Sequence, residues 1–109
     1  MHELGVTQEI IEVVAGRAHE RKVKRIVLEI GRLSCILPDA IRFCFELCSE
    51  GTVAHGAALE IQQPSGRGRC RQCGSEVVID RLPGQCGCGK SDLEWLAGEE
   101  LRIKEMELA

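Results

Sequence analysis

Aromatic side chains are scarce here: two phenylalanines, one tryptophan and no tyrosine among 109 residues. A core must therefore come from Val, Ile and Leu, and a chain of this length cannot make it large. No apolar run approaches the roughly 18 residues of a membrane-spanning helix. The opening Met1-His2-Glu3-Leu4 has neither the basic region nor the small-residue cleavage site of a signal peptide, so a cytoplasmic protein is expected. Neither charge dominates: the net value of −3 argues against a dedicated nucleic-acid binder. Catalytic signatures are missing too. There is no serine on a hydrolase-type turn, no phosphate-cradling glycine loop and no acid pair with assigned partners, which points away from an enzyme.

What the chain does have is cysteine, seven in all. Four fall in two close pairs, Cys70/Cys73 and Cys86/Cys88, separated by twelve residues. Two ligand pairs on tight turns can bring four thiolates round one tetrahedral ion. Zinc(II) suits such a set, being soft enough for sulfur and without redox chemistry of its own. Gly74 and Gly89 follow the pairs and let backbone amides turn toward the sulfurs. The second pair is C-x-C, one residue shorter than C-x-x-C, so its turn must differ from the first. Gly87 inside it is a permissive residue for that tight turn.

Hydrophobic periodicity organises the rest. Leu4, Ile10, Ile11, Val14, Ala15 and Ala18 recur at helical spacing and predict an amphipathic helix to about Glu20. Ile26, Leu28 and Ile30 then alternate with Arg25, Val27 and Glu29, which predicts a strand with one buried face, stopped by Gly31. Leu37-Pro38-Asp39 marks a helix start, Ile41, Cys44, Phe45 and Cys48 line one side, and Gly51 is placed to end it. Ala57 to Gln62 reads as a strand and Pro64-Ser65-Gly66 as a linker. Glu76 to Asp80 reads as the central strand of the cysteine lobe, with Leu93 to Leu96 returning. Leu101 to Leu108 is a last strand whose phase slips near Lys104-Glu105, as a bulge would cause. The expected fold is α+β: two helices packed on a small three-stranded sheet, with an inserted zinc-ribbon-like lobe. Residues 1–63 plus 99–109 form the first domain and 64–98 the zinc-binding domain.

A second metal candidate lies at the start of the chain. Histidine is too large for ready removal of the initiator methionine, so Met1 should persist beside His2. The Met1 amine, the His2 amide and imidazole, and a following backbone amide can close chelate rings round one ion. Square-planar nitrogen favours nickel(II) or copper(II). The other candidates have plainer readings. Cys44 and Cys48 fit a helix stripe as small hydrophobes. Cys35 lies in a loop, His19 is solvated, and His55 sits beside Gly56 in a loop. Arg67, Arg69 and Arg71 are nearly balanced by Glu76, Asp80, Asp92 and Glu94, as on a solvated or docking face.

MHE at the start, IVLEIGRLSCILPDAIRFCFEL, GTVAHGAALEIQ, the paired cysteines and the closing LRIKEMEL resemble, in order and over the whole chain, the HypA/HybF family. Those proteins are nickel metallochaperones in nickel–iron hydrogenase maturation. The resemblance implies nickel bound by His2 with the Met1 amine and the backbone of Glu3, whose side chain matches a position tied to nickel handling and docking. It implies structural zinc on Cys70, Cys73, Cys86 and Cys88. It also implies a GTPase partner, contact with the hydrogenase large subunit and, in some members, a role with urease maturation proteins; a homodimer is left open. The shortened second pair departs from the family's usual C-P-x-C. The competing readings are a non-enzymatic zinc-ribbon module binding nucleic acid or protein, and a thiol oxidoreductase using Cys70 and Cys73.

Overall fold

The structure is a computed structural model that describes residues 3–80 and 84–109. In chain order it contains α1 (Glu3–Ala18), β1 (Val23–Ile30), α2 (Pro38–Cys48), β2 (Ala58–Gln62), β3 (Gly66–Cys70), β4 (Glu76–Ile79), β5 (Leu93–Ala97) and β6 (Leu101–Leu108). The strands form two three-stranded sheets, ordered β2-β1-β6 and β4-β3-β5. The α+β class and the two helices agree with the sequence reading. By contacts the chain divides into one unit of Met1–Leu28, Ile36–Ile61 and Arg102–Ala109 and another of Glu29–Cys35 and Gln62–Leu101.

In the first unit the helical stripe of α1 buries Ile10, Ile11, Val14 and Ala18. The helix stops at Ala18 rather than Glu20, because His19 and Glu20 both take positive φ. β1 is longer than its alternation implied and begins at Val23. Val27, read as solvent-facing, is 1% exposed. Ile26, Val27 and Leu28 are buried in succession, so both faces of β1 are covered there, which suits a continuous apolar run better than strict alternation. α2 begins at Pro38, whose fixed φ and missing N–H fit the first helical position. It buries Ile41 and Phe45 and ends at Cys48, with Gly51 at φ +77 in the turn beyond. In β6 the half-buried residues are Leu101, Ile103, Met106 and Leu108, so the burial carries the phase slip read from the sequence.

The second unit differs more from expectation. Its middle strand is β3, Gly66-Arg67-Gly68-Arg69-Cys70, and β4 lies at an edge. Glycine and arginine are weak strand formers, so propensity gave no sign of it. Here the glycines are required by packing: a Cβ on Gly66 would lie 2.3 Å from Leu33 Cδ1 and one on Gly68 2.9 Å from Ile79 Cδ1. Leu33, Ile79, Leu93, Cys70 and Cys86 form one buried cluster, with Val77 against it. Residues 29–35, which the sequence reading grouped with the first domain, belong by contacts to this unit. The Leu33 amide donates to the Gly98 carbonyl and the Gly31 amide to that of Glu100, both at 2.8 Å.

Candidate metal centre

The cysteine quartet is held by two backbone turns of the same design. In the first, the Gly74 amide donates to the Cys70 carbonyl at 2.8 Å and the Cys70 amide to that of Ser75 at 2.9 Å. In the second, the Gly89 amide donates to the Cys86 carbonyl and the Cys86 amide to that of Lys90, both at 2.9 Å. Each bond of the second turn spans one residue fewer than its counterpart, so the short C-x-C pair keeps the pattern on a tighter loop. Gly74 and Gly89 have φ of +79 and +93, as their positions after the pairs suggested. Gly87 does not take positive φ, which corrects its assignment as the turn's special residue. In both turns the positive φ falls on the glycine after the second cysteine, Gly74 in the first and Gly89 in the second.

All four sulfurs lie within 4.8 Å of one another. Cys70 and Cys88 are 3.8 Å apart and Cys73 and Cys86 3.6 Å. A disulfide needs about 2.05 Å between sulfurs, and all seven cysteines are free. Four sulfurs at about 2.3 Å from a tetrahedral zinc are about 3.8 Å apart, so the donor set fits that ion in number, chemistry and spacing. Cys70 and Cys86 are buried while Cys73 and Cys88 are exposed, so two of the four ligands are also part of the lobe's core.

Their protonation shows why a cation belongs there. The Ser75 hydroxyl, its backbone N–H and then Cys86 and Cys70 hydrogen-bond to Cys73 and lower its thiol to about 6. At Cys88 the Lys90 backbone N–H pulls downward. Hydrogen bonds with Cys86, Cys70 and Cys73, together with desolvation, outweigh that pull and raise the thiol to about 11. The same cluster of hydrogen bonds thus eases the thiolate at Cys73 and disfavours the one at Cys88. A divalent ion removes that conflict and would hold all four deprotonated.

Met1 and His2 lie outside the described residues. Glu3 opens α1, and its Oε2 accepts the Leu37 amide at 3.3 Å, joining the starts of the two helices. The Thr7 hydroxyl donates to the Glu3 carbonyl at 2.6 Å. Among the described residues the cysteine quartet is the one group of three or more His, Cys, Asp or Glu side chains arranged to hold an ion. His19 and His55 are exposed, and the His55 carbonyl accepts a hydrogen bond from Lys22 Nζ. Arg67 and Arg69 pair with Glu76, and Arg71 with Asp92. Cys44 and Cys48 are half-buried on α2, and Cys35 is exposed at φ +63. The sequence reading missed two participants: Ser75, which polarises Cys73, and Leu33, which seats the core behind the sulfurs. Ser75 follows Gly74 directly; nothing near Leu33 marked it.

The family described as "Hydrogenase/urease nickel incorporation, metallochaperone, hypA" matches residues 1–108. "Hydrogenase maturation factor HypA" of Nostoc punctiforme is 55% identical over 108 residues, covering 99% of this chain and 96% of that protein. The protein of the same name from Geobacter sulfurreducens is 42% identical over 109 residues, with 99% of both chains covered. The solution structure of the Ni metallochaperone HypA from Helicobacter pylori superposes with a TM-score of 0.70 at 25% identity, covering 99% of this chain and 97% of that one.

Proposed function

Starting from the chain's membership of the HypA family of hydrogenase/urease nickel-incorporation metallochaperones, we propose that it binds nickel(II) as cargo at its N-terminus and delivers it with a GTPase partner. The observation that carries this is the family match reaching residue 1 and so taking in Met1-His2-Glu3. The His2 imidazole, the Met1 amine and backbone amides including that of Glu3 supply a nitrogen set suited to nickel. α1 begins at Glu3, and the first four N–H groups of a helix have no intrahelical partner. A cation there faces the positive end of the helix dipole, which weakens its hold and suits a cargo that must leave. The hydrogen bond from the Leu37 amide to the Glu3 side chain gives this end of α1 a fixed base.

Zinc(II) on Cys70, Cys73, Cys86 and Cys88 would be the resident ion, and four protein ligands leave it no open position for chemistry. On this reading residues 1–63 plus 99–109 carry the nickel site and 64–98 the zinc. The partners proposed beyond the GTPase are the hydrogenase large subunit and urease maturation proteins, in the cytoplasm, with a homodimer as a further assembly. No helix among the described residues is long and apolar enough to cross a membrane. The rival nucleic-acid reading finds little support, because Arg67, Arg69 and Arg71 are engaged by carboxylates.

The test is metal analysis of untagged, zinc-loaded protein after dialysis against one equivalent of nickel, for the wild type and His2→Ala. One zinc is expected in both and one nickel in the wild type alone. Equal nickel affinity and stoichiometry in the two would overturn the N-terminal site.

A further inference from the structure

β2 is an edge strand, with β1 on one side and, among the described residues, no strand on the other. On its way along that edge, the Leu59 carbonyl accepts a hydrogen bond from Arg42 Nη1 of α2 at 2.6 Å. The N–H and C=O of one strand residue point to the same side, so the Leu59 amide shares this free edge. Alongside it, two cavities meet between α2 and the segment leading into β2. One, of about 470 Å³, is lined by Phe45, Ser49, Glu46, Glu50 and His55 among others. The other, of about 180 Å³, is lined by Arg42, Phe45, Glu46, Ala57 and Leu59. They share Phe45, Glu46 and Ala57 and so read as one groove. Its floor is buried Phe45 and Ser49, and its rim carries the exposed carboxylates of Glu46 and Glu50. The nearby positive groups are already engaged: Arg42 holds Leu59, and Lys22 holds the His55 carbonyl.

We propose that this groove docks an extended segment of a partner protein, carrying alternating apolar and basic side chains, that adds to the edge of β2 and displaces Arg42. The free strand edge supplies main-chain hydrogen bonds, and the floor, apolar at Phe45, takes every second side chain, as strand addition requires. The acidic rim selects lysine or arginine at the intervening positions, where opposite charge steers the encounter. Until the partner arrives, Arg42 keeps the edge from pairing unproductively, a task charged side chains perform on exposed edges.

The site is testable without metal transfer. The probe is the capped pentapeptide Lys-Val-Lys-Val-Lys, titrated into isotopically labelled, zinc-loaded protein and followed by amide shifts. Saturable movement of the Leu59 and Ala57 amides is expected. Arg42→Ala should bind about fivefold tighter, since one competing hydrogen bond is gone, and Glu46→Lys should bind more weakly. Strand pairing uses alternate backbone amides, so the peptide N-methylated at both valines and the one N-methylated at the central lysine should differ about tenfold in affinity. Equal binding of the two would reduce the effect to charge attraction and overturn the proposal. So would self-association of Arg42→Ala through β2 without peptide binding, which would make the occupant a second copy of this chain.

Discussion

The Gly89 amide reaches back to the Cys86 carbonyl as the Gly74 amide reaches back to Cys70, but across one residue fewer. The second metal-binding turn is thus a contraction of the first, and in both the positive φ falls on the glycine just after the second cysteine. Gly89→Ala would place a side chain at φ +93, where open space surrounds the new Cβ, so the penalty is purely conformational. A cost of about 1–2 kcal/mol is expected, or roughly a tenfold loss of zinc affinity in a chelator competition. Gly87→Ala, with open space and no positive φ, should leave affinity unchanged. Equal effects of the two substitutions would show that the turn's demand had been misplaced.

Leu33 ties the loop after β1 into the core behind the sulfurs. It is 2% exposed and clusters with Ile79, Leu93, Cys70 and Cys86. Leu33→Ala should destabilise the cysteine unit by about 2–5 kcal/mol. Hydrogen exchange would register this as lost protection in β3, β4 and β5. Unchanged exchange there would remove Leu33 from the core.

Because Cys70 and Cys86 belong to that same core, taking the ion away should loosen apolar packing as well as freeing thiols. Chelation is expected to shift the fluorescence of Trp95 on β5 and to lower the melting temperature. Thiolate ligands must regain protons to release zinc, so the chelator concentration needed should fall as pH falls. A melting temperature unmoved by chelation would argue against a structural ion.

Electrostatics in the first unit gives a prediction of definite sign. Arg25 bonds to Glu60 and Glu107, and it holds the Glu107 carboxyl below its ordinary value with help from Lys24. A carboxylate depressed by folding stabilises at pH above its unfolded pKa and loses that contribution as pH falls through the folded value. Arg25→Met should therefore return the Glu107 titration, followed by carboxyl NMR, toward that of an ordinary glutamate. It should also flatten the acid limb of the stability curve. An unmoved Glu107 titration would leave Lys24 as the controlling charge.

Much of this was legible from the residues, and what was not has physical causes. The α1 stripe, the Pro38 start of α2 and the phase slip in β6 are local patterns, and the cysteine spacing is a local signal of a long-range contact. β3 was invisible because its alternation is glycine against arginine, where the small residue faces the core to admit Leu33 and Ile79. Hydrophobicity cannot register a position selected for having no side chain. Val27 was misread for a related reason: strand alternation assumes one wet face, and the middle strand β1 has both covered at that point.

The chain passes between its two contact units at 28/29, 35/36, 61/62 and 101/102. The stretch from Gln62 to Leu101 holds every sulfur of the quartet yet lacks Leu33, which enters from the loop after β1. The cysteine lobe is therefore not a portable cassette. Cut out at its own ends or grafted onto another protein, it would carry its ligands without the plug that completes their hydrophobic backing. Sequence drift in the loop at 31–35 is thereby tied to drift in a lobe that begins some thirty residues later.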